Sequence, residues 1–229
     1  STNPDCRPSA QTTLIVVDIP NVEPVANQVL CNGSATADIN FTGSVPGTIF
    51  NWTNSNTGIG LAASGSGDIA SFITTNATNA PIAATITVTP VTSPTTGAVC
   101  TGTPITFTIT VNPVPNINTV ANQTHCIGLS VPSIVFTSNV PGATFSWSRT
   151  NEAIGLGANS GSGNVPSFTA TNAGVTPLTS TFSVVASYTN NGVTCTGAPI
   201  QFTVTINPNP TVNAITSQTL CGGSATTAV

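Results

Sequence analysis

Six cysteines are the residues of this 229-residue chain whose type and spacing could do chemistry. Cys31, Cys126 and Cys221 lie 95 positions apart in closely similar hexapeptides, QVLCNG, QTHCIG and QTLCGG. Cys100 and Cys195 are also 95 positions apart, and each begins the tripeptide Cys-Thr-Gly. Zinc and redox sites require Cys-x-x-Cys pairs or Cys/His clusters, whereas no two cysteines here are closer than 25 positions. The spacing therefore predicts disulfides, which form in oxidising, extracellular compartments.

The remaining titratable side chains do not form a catalytic or metal-binding set. His125 is the single histidine, and no carboxylate lies near it in the sequence. The acids are widely spaced, and none has an acidic counterpart one period away: Asp68, for example, corresponds to Asn164. Glycosidases need paired carboxylates and calcium sites need clustered oxygen ligands. We therefore predict no catalytic residue, no metal site and no cofactor, and we expect His125 to have a structural position in a strand or turn.

Charged residues make up 3% of the chain, against about 25% in ordinary domains, while the hydrophobic share of 39% is enough for a core. Arg7 and Arg149 are the only basic residues. Nucleic-acid binding needs a basic surface, so the composition excludes it, and an anionic membrane surface is excluded on the same grounds. No apolar run approaches the ~20 residues of a membrane-spanning helix. A surface of Thr, Ser and Asn without charge repulsion favours lateral self-association.

The 95-residue period extends over the whole chain, well beyond the cysteines. VCTGTPITFTITVNP, which ends at Pro113, returns as TCTGAPIQFTVTINP, which ends at Pro208. Trp52 returns as Trp147, and IGLAASGSGDIASF returns as IGLGANSGSGNVPSF with one inserted residue. Matching over a complete period identifies an internal repeat.

The period sets the expected domain boundaries. Residues 20–114 and 115–209 are predicted to be two complete repeats. Residues 1–19 are predicted to end with the last strand of a preceding repeat, and residues 210–229 to begin a following one. The chain is therefore expected to be an interior piece of a longer array.

Within each repeat the hydrophobic pattern has a period of two. Ile105, Phe107, Ile109 and Val111 alternate with threonines, as in a half-buried strand. Further strands are predicted over 36–42, 48–54, 69–75 and 82–89, with turns between them, including the Gly-Ser-Gly segments at 65–67 and 161–163. About seven strands in 95 residues are typical of an antiparallel immunoglobulin-like β-sandwich. The predicted core aromatics are Phe50, Trp52, Phe145 and Trp147.

The repeat motifs carry a resemblance to a known family. The succession Q-x-x-C-x-G, V-P-G-x-x-F-x-W, G-S-G and C-T-G-x-P-I-x-F-T resembles the PKD-like repeats of giant Bacteroidota surface proteins. It is similar to the repeats of the large gliding-motility adhesins that the type IX secretion system exports. The resemblance implies a secreted, surface-anchored adhesin or filament with no catalytic residues.

Three disulfide pairings are open. The first closes each repeat, as Cys31–Cys100 and Cys126–Cys195, although a plain immunoglobulin topology places these cysteines at opposite ends of the sandwich. The second, Cys31–Cys195, joins neighbouring repeats. The third crosses each junction, as Cys6–Cys31, Cys100–Cys126 and Cys195–Cys221. Our first expectation is the pairing within repeats.

The function expected from the sequence is that of a structural and adhesive repeat segment outside the cell. Its expected partners are further copies of the repeat in a longer chain and an unidentified surface or glycan target. One alternative is a carbohydrate-binding module, which would need Trp52 or Trp147 exposed to solvent. Another is a pilus-like polymer, in which the strand over 12–19 completes a neighbour's sheet.

Overall fold

The structure, a computed structural model, describes residues 16–92, 99–150, 152–215 and 217–225. The helical segments in these ranges are two three-residue 3-10 turns, Thr57–Ile59 and Glu152–Ile154. None of the helical segments in the described ranges has the length and apolar character needed to cross a membrane. The fold is therefore built from β-strands, as the period-two pattern predicts.

The first repeat forms one sheet of six strands. These are β1 Gln28–Cys31, β2 Ile49–Asn54, β3 Ser64–Ser66, β4 Ile82–Thr92, β5 Cys100–Thr101 and β6 Ile105–Asn112. The strand order is β1-β6-β4-β2-β3, with β5 paired to β4. All pairs in this sheet are antiparallel except β1–β6, which is parallel.

The second repeat forms an equivalent six-stranded sheet and a separate two-stranded one. The strands of this repeat are β7 Gln123–Cys126, β8 Ser130–Val131, β9 Thr144–Arg149, β10 Ser160–Ser162, β11 Phe168–Thr169, β12 Leu178–Asn190, β13 Val193–Thr196 and β14 Ile200–Asn207. The order is β10-β9-β12-β14-β7, with β13 paired to β12, while β8 and β11 pair separately. Here β7 runs parallel to β14, as β1 does to β6.

The chain divides into two compact units, whose boundaries differ from those of the repeats. The first unit comprises the described residues up to Pro115 together with Asn139–Ala143 and Ser187–Thr196. The second comprises Asn116–Ser138, Thr144–Ala186 and the described residues from Gly197 onward. Two short segments of the second repeat therefore belong to the first unit, which the 95-residue period alone does not predict.

Each repeat buries its own aromatic and aliphatic core. Phe50 and Trp52 are buried in the first core, and Trp147 is buried in the second, against which Phe145 packs half-buried. Phe182 and Phe202 stack at a centroid separation of 5.0 Å in the second core. Alternating apolar side chains from the sheet supply most of each core, because the pleat directs every second residue inward.

The layer facing each sheet is held by few backbone pairs. The backbone ladder between the predicted strands over 36–42 and 69–75 is reduced to isolated bridges, Ile39↔Ile69 and, just before the first range, Ala35↔Ile73. Between these bridges a side chain takes the place of a ladder carbonyl: the Asp38 carboxylate accepts the Ser71 N–H at 2.7 Å. Side-chain acceptors of this kind compete with regular strand pairing. The sequence therefore predicts extended segments here but overestimates their regularity as strands, and it does not predict that they pair.

The Gly-Ser-Gly segments are edge strands in part, where turns were predicted. Gly65 lies in β3 and Gly161 in β10, each paired with a tryptophan of the neighbouring strand, Trp52 and Trp147. A Cβ atom at either glycine would lie well inside van der Waals contact with the indole ring. Glycine is required there because the ring covers the strand backbone.

Candidate functional site: the cysteine turns and the disulfide

The turn after β1 carries Cys31 and is held by backbone hydrogen bonds. The Asn32 N–H donates to the carbonyl of Asn112, the last residue of β6, at 2.9 Å. Within the turn, the Ser34 N–H donates to the Cys31 carbonyl at 3.0 Å. Gly33 has a φ of 84°, a left-handed conformation that glycine adopts without Cβ strain. The Cys-x-Gly pattern is therefore a turn signature.

The same turn occurs twice more among the residues that the structure describes. At Cys126 the N–H of Leu129 donates to the cysteine carbonyl at 3.3 Å, and at Cys221 the N–H of Ser224 does so at 3.1 Å. The glycines of these turns have φ values of 82° and 90°. The repeated hexapeptide thus encodes one backbone conformation.

Cys195 is presented by a tight hairpin between β12 and β13. The hairpin pairs Asn190 with Val193 and Tyr188 with Cys195. Its two-residue loop, Asn191-Gly192, has φ values of 49° and 77°. Positive φ at both positions is the type I′ pattern, which matches the twist of the flanking strands and favours Asn-Gly. The Asn-Asn-Gly sequence is a hairpin signal, although no hairpin was predicted there.

Cys31 and Cys195 form a disulfide bond inside the first unit, with their Cα atoms 5.5 Å apart. Cys195 is 1% exposed. Beside the bond, the Asn112 side chain donates to the Asn190 carbonyl at 3.1 Å, and the Asn190 side chain donates to the Asn112 Oδ1 at 2.9 Å. Because Asn112 is fully buried, these reciprocal bonds satisfy an amide that has no access to water.

The observed bond differs from our first expectation, which paired Cys31 with Cys100 and Cys126 with Cys195. Cys31 lies in register with Asn112 at the end of β6, whereas Cys100 precedes the start of that strand. A strand of eight residues spans about 26 Å at ~3.3 Å per residue, far beyond the ~7 Å Cα limit for a disulfide. The parallel register of β7 with β14 imposes the same separation in the second repeat.

The pairing across junctions is not formed either. Because Cys31 and Cys195 are bonded to each other, neither can form the predicted Cys6–Cys31 or Cys195–Cys221 bond. Cys6 itself lies outside the described residues. Elsewhere in the described part of the chain, Cys100 is half-buried and Cys126 and Cys221 are exposed, all three as free thiols.

Asp68 and His125 have local structural contacts. The Asp68 carboxylate accepts the Phe41 N–H at 2.7 Å, and in the second repeat the Asn164 side-chain oxygen accepts the Phe136 N–H at 3.1 Å. The His125 Nε2 lies 3.1 Å from Gln123 Oε1, both in β7. Among the described residues, no group of three or more His, Cys, Asp or Glu side chains could hold a metal ion. The lack of an acid opposite Asp68 follows from its role, because an amide oxygen accepts the same bond.

Two buried asparagines, which were not predicted from the sequence, connect the turn region of each repeat to its sheet by hydrogen bonds. Asn76 donates to the Val111 carbonyl at 2.8 Å and the Ala80 carbonyl at 2.9 Å. Its equivalent, Asn172, donates to the Ile206 carbonyl at 2.8 Å. Both side chains are about 95% buried, and the signal that could have identified them is the Thr-Asn pair retained at equivalent positions of the two repeats, one period plus the inserted residue apart.

The exposure of the tryptophans bears on the carbohydrate-binding alternative. Trp52 is 8% exposed and Trp147 is 5% exposed, so neither ring can stack on a sugar. A surface groove of about 660 Å³ does lie in the first unit, between the segment around β1 and residues 37–40. Its lining is aliphatic and amide in character, and the carboxylate of Asp38 there is engaged with the Ser71 N–H.

Comparison with solved structures returns multidomain β-sandwich proteins at low identity. The fibronectin(III)-like modules of Clostridium thermocellum CbhA are 16% identical over 87% of this chain and 100% of that chain, with a TM-score of 0.30. Dpr2 Ig1-Ig2, in its complex with DIP-Theta, is 13% identical over 83% of this chain and 67% of its own, with a TM-score of 0.36. The human desmocollin-1 ectodomain is 13% identical over 83% and 41%, with a TM-score of 0.31. Likenesses this distant carry no information on function.

The sequence comparisons find a match to a domain family but none to a curated protein. None of the curated proteins matches the sequence. The profile of the PKD-like domain family matches twice, over residues 27–115 and 123–210, and these two matches cover most of the chain. The chain therefore belongs to the PKD-like domain family and carries two tandem copies of that domain.

Proposed function

We propose that the chain is a structural and adhesive segment of a secreted cell-surface fibre. The observation that carries this proposal is the Cys31–Cys195 bond. It joins the first-strand turn of one PKD-like repeat to a hairpin of the next repeat along the sequence. A chain fastened in this way cannot be extended between these two residues without breaking a covalent bond. Resistance to extension is the property that a load-bearing fibre needs.

The polar side chains support a structural role over a catalytic one. Asp38 and Asp68 accept backbone N–H groups at 2.7 Å, and Asn76 and Asn172 donate to buried carbonyls. These groups are occupied in holding the fold. The burial of Trp52 and Trp147 disfavours a carbohydrate-binding module built on these rings. We therefore propose that adhesion uses the exposed surfaces of the repeats along the longer array.

The resemblance to gliding-motility adhesins extends the proposal to source and export. We expect a Bacteroidota surface protein that the type IX secretion system exports, with a surface or glycan as its adhesion target. A disulfide fits this localisation, because such bonds persist in oxidising compartments outside the cytosol.

Lateral self-association is a second part of the proposal. With 3% charged residues, neighbouring fibres experience little electrostatic repulsion. We expect sedimentation velocity to show assemblies that grow with protein concentration. Lysine at the exposed positions Thr85 and Thr106, on β4 and β6, should weaken this growth. Single chains at every concentration would contradict self-association.

Single-molecule force spectroscopy tests the load-bearing role. The chain is held at its two ends and unfolded with and without a reducing agent. Because the bond bridges a sequence separation of 164 residues, we expect reduction to lengthen the unfolded chain by roughly 550 Å, at ~3.3–3.6 Å per residue. The Cys126→Ser variant, which leaves the bond intact, should behave as the unmodified chain. Equal extension with and without reductant would contradict the proposal.

Surface labelling tests the localisation. An antibody raised against the chain should label intact cells of the source organism, and a strain that lacks type IX secretion should lose the label. Soluble chain should compete with cells for attachment to a surface. Label that appears only after permeabilisation would refute the surface assignment, and label that persists in the secretion mutant would refute the export route alone.

A further inference from the structure

The disulfide joins a cysteine turn after a first strand to a Cys-Thr-Gly strand, which are called here the two halves of the bond. Each half occurs a second time among the described residues, where its cysteine, Cys126 or Cys100, is a free thiol. We propose that Cys126 forms a disulfide with the cysteine of a Cys-Thr-Gly hairpin in a following PKD-like repeat, and that Cys100 accepts the first-strand cysteine of a preceding one. The inference rests on the proposed function as a tandem array. It extends that function by naming the docking surface on each repeat and the segment that occupies it.

The first half of the bond is reproduced at Cys126. In the first repeat, β1 runs parallel to β6 with Cys31 in register with Asn112. In the second repeat, β7 runs parallel to β14 with Cys126 in register with Asn207. The turn residue after each cysteine donates its N–H to that asparagine's carbonyl, at 2.9 Å and 3.0 Å. The backbone that positions Cys31 for its bond therefore positions Cys126 in the same way.

The second half is reproduced at Cys100. Cys195 lies opposite Tyr188 in the β12–β13 hairpin, with the next pair formed by Thr196. Cys100 lies opposite Thr92 in the β4–β5 pair, again followed by its threonine. A Cys-Thr-Gly strand paired in this register is the arrangement that presents a cysteine to the turn of another repeat.

Burial shows what a docked hairpin would cover. Where the β12–β13 hairpin is in place, Asn112 is fully buried and bonded to Asn190. Asn207 occupies the equivalent position and is only partly buried, and Cys126 beside it is exposed. We therefore expect the following repeat to supply both a cysteine and a polar side chain at its hairpin loop.

The chemistry of bond formation balances by thiol–disulfide exchange. The Cys126 thiol and the incoming thiol lose two protons and two electrons as the S–S bond forms. A small disulfide, such as oxidised glutathione, accepts the electrons and is released as two thiols. Because Cys126 is exposed, its thiolate can reach and attack the small disulfide.

An extended chain tests the proposal directly. Residues 1–209 are followed by a second copy of residues 115–229, in which Cys126→Ser removes the duplicate thiol and Thr194→Ser labels the duplicated Cys195 peptide by mass. After oxidation with glutathione, peptide mass spectrometry should find the original Cys126 joined to the labelled Cys195 and Cys31 joined to the unlabelled one. A matched chain with the original Cys126→Ser should keep the labelled Cys195 reduced.

Other pairings would overturn the proposal. With Cys31–Cys195 present as proof of folding, a free Cys126, or a Cys126 bonded to Cys100 of the same chain or to Cys221, contradicts it. If these other pairings are found but the antibody labels intact cells, the proposed function stands and the further inference fails. If the predicted bond forms but intact cells are not labelled, the proposed function alone is refuted.

A second experiment uses the chain at its natural length. In a Cys6→Ser, Cys221→Ser variant, Cys100 and Cys126 are the remaining free thiols, so oxidised dimers report their preference for each other. We expect Cys100–Cys126 bonds between two copies to dominate over Cys126–Cys126 and Cys100–Cys100 bonds. Statistical proportions, with about half of the bonds mixed, would contradict the proposed pairing.

Discussion

The turns at Cys31 and Cys126 have the same backbone but different surroundings. In both, the glycine two residues after the cysteine donates its N–H to the opposite layer. Gly33 donates to the Thr74 carbonyl at 2.8 Å in the first repeat, and Gly128 donates to the Ala170 carbonyl at 2.9 Å in the second. Around Cys31 the contacts are polar, with the Thr74 hydroxyl 2.8 Å from the Cys31 carbonyl. Around Cys126 the corresponding positions are apolar, and Ile127 packs against the second core.

This difference separates what specifies the fold from what specialises each copy. Backbone hydrogen bonds and the left-handed glycine recur in each turn, so they define the repeat. The side chains vary because either a hydroxyl or a methyl group fills the space behind the turn. The disulfide is the largest difference between the two turns in this chain, since Cys31 is bonded and Cys126 is a free thiol.

Removing the disulfide should have the largest effect on stability. The Cys31→Ser, Cys195→Ser double variant is expected to lower the free energy of unfolding of the first unit by about 3 kcal/mol, because an unfolded chain without the cross-link has more conformational entropy. Urea denaturation measures the loss, and hydrogen exchange with mass spectrometry assigns it to the first unit. Cys126→Ser should change stability by less than ~0.5 kcal/mol. Equal effects of the two changes would remove the distinction between the turns.

The buried asparagines should matter equally in both repeats. Asn76→Ala and Asn172→Ala each remove an amide that donates to a buried strand carbonyl, so each is expected to cost about 2–3 kcal/mol. Hydrogen exchange should show the loss in the repeat that carries the substitution. The exposed Asn51→Ala is the matched control, with an expected change below ~0.5 kcal/mol. A large effect in one repeat only would show that the shared network is not equivalent.

The sequence predicts the fold through features that repeat and are local. Alternation in β6 and the retained Trp52 and Trp147 predict a tandem sandwich, because inward and outward positions follow from the pleat alone. The parallel pairing of β1 with β6 was not predicted, since it depends on which edge the first strand meets. That pairing also decides which cysteines can bond, which is why the pairing within repeats was wrong.

The position equivalent to Asn54 shows a substitution that the period reveals but does not explain. Asn54 donates to the Leu61 carbonyl at 3.0 Å, while Arg149, one period on, donates to the Leu156 carbonyl and to the Ala158 carbonyl at 2.7 Å. The loop that Arg149 holds is one residue longer than its counterpart. A longer side chain therefore accompanies a longer loop, and only the structure shows this coupling.

Breaking that coupling should cost an intermediate amount. Arg149→Asn is expected to destabilise the second unit by about 2 kcal/mol, because the shorter side chain cannot reach both carbonyls. Deleting Gly157 in the same variant shortens the loop to the length found in the first repeat and should restore part of the loss. Thermal unfolding measures both changes, with the exposed Ser148→Asn as the control in the same strand. No recovery on deletion would show that side-chain and loop length are independent.

Exchanging an acid for its amide should produce the smallest effect. Asp68 accepts the Phe41 N–H at 2.7 Å, and Asn164 accepts the Phe136 N–H at 3.1 Å. Because a hydrogen bond to a charged acceptor is shorter and stronger, Asp68→Asn should destabilise the first repeat by about 0.5–1 kcal/mol at neutral pH. The reverse change, Asn164→Asp, should stabilise the second repeat by a similar amount. Hydrogen exchange at the Phe41 and Phe136 amides measures both, with the exposed Asp18→Asn as control. Changes of the same sign in both repeats would mean that the local charge, and not the shared bond, decides stability at this position.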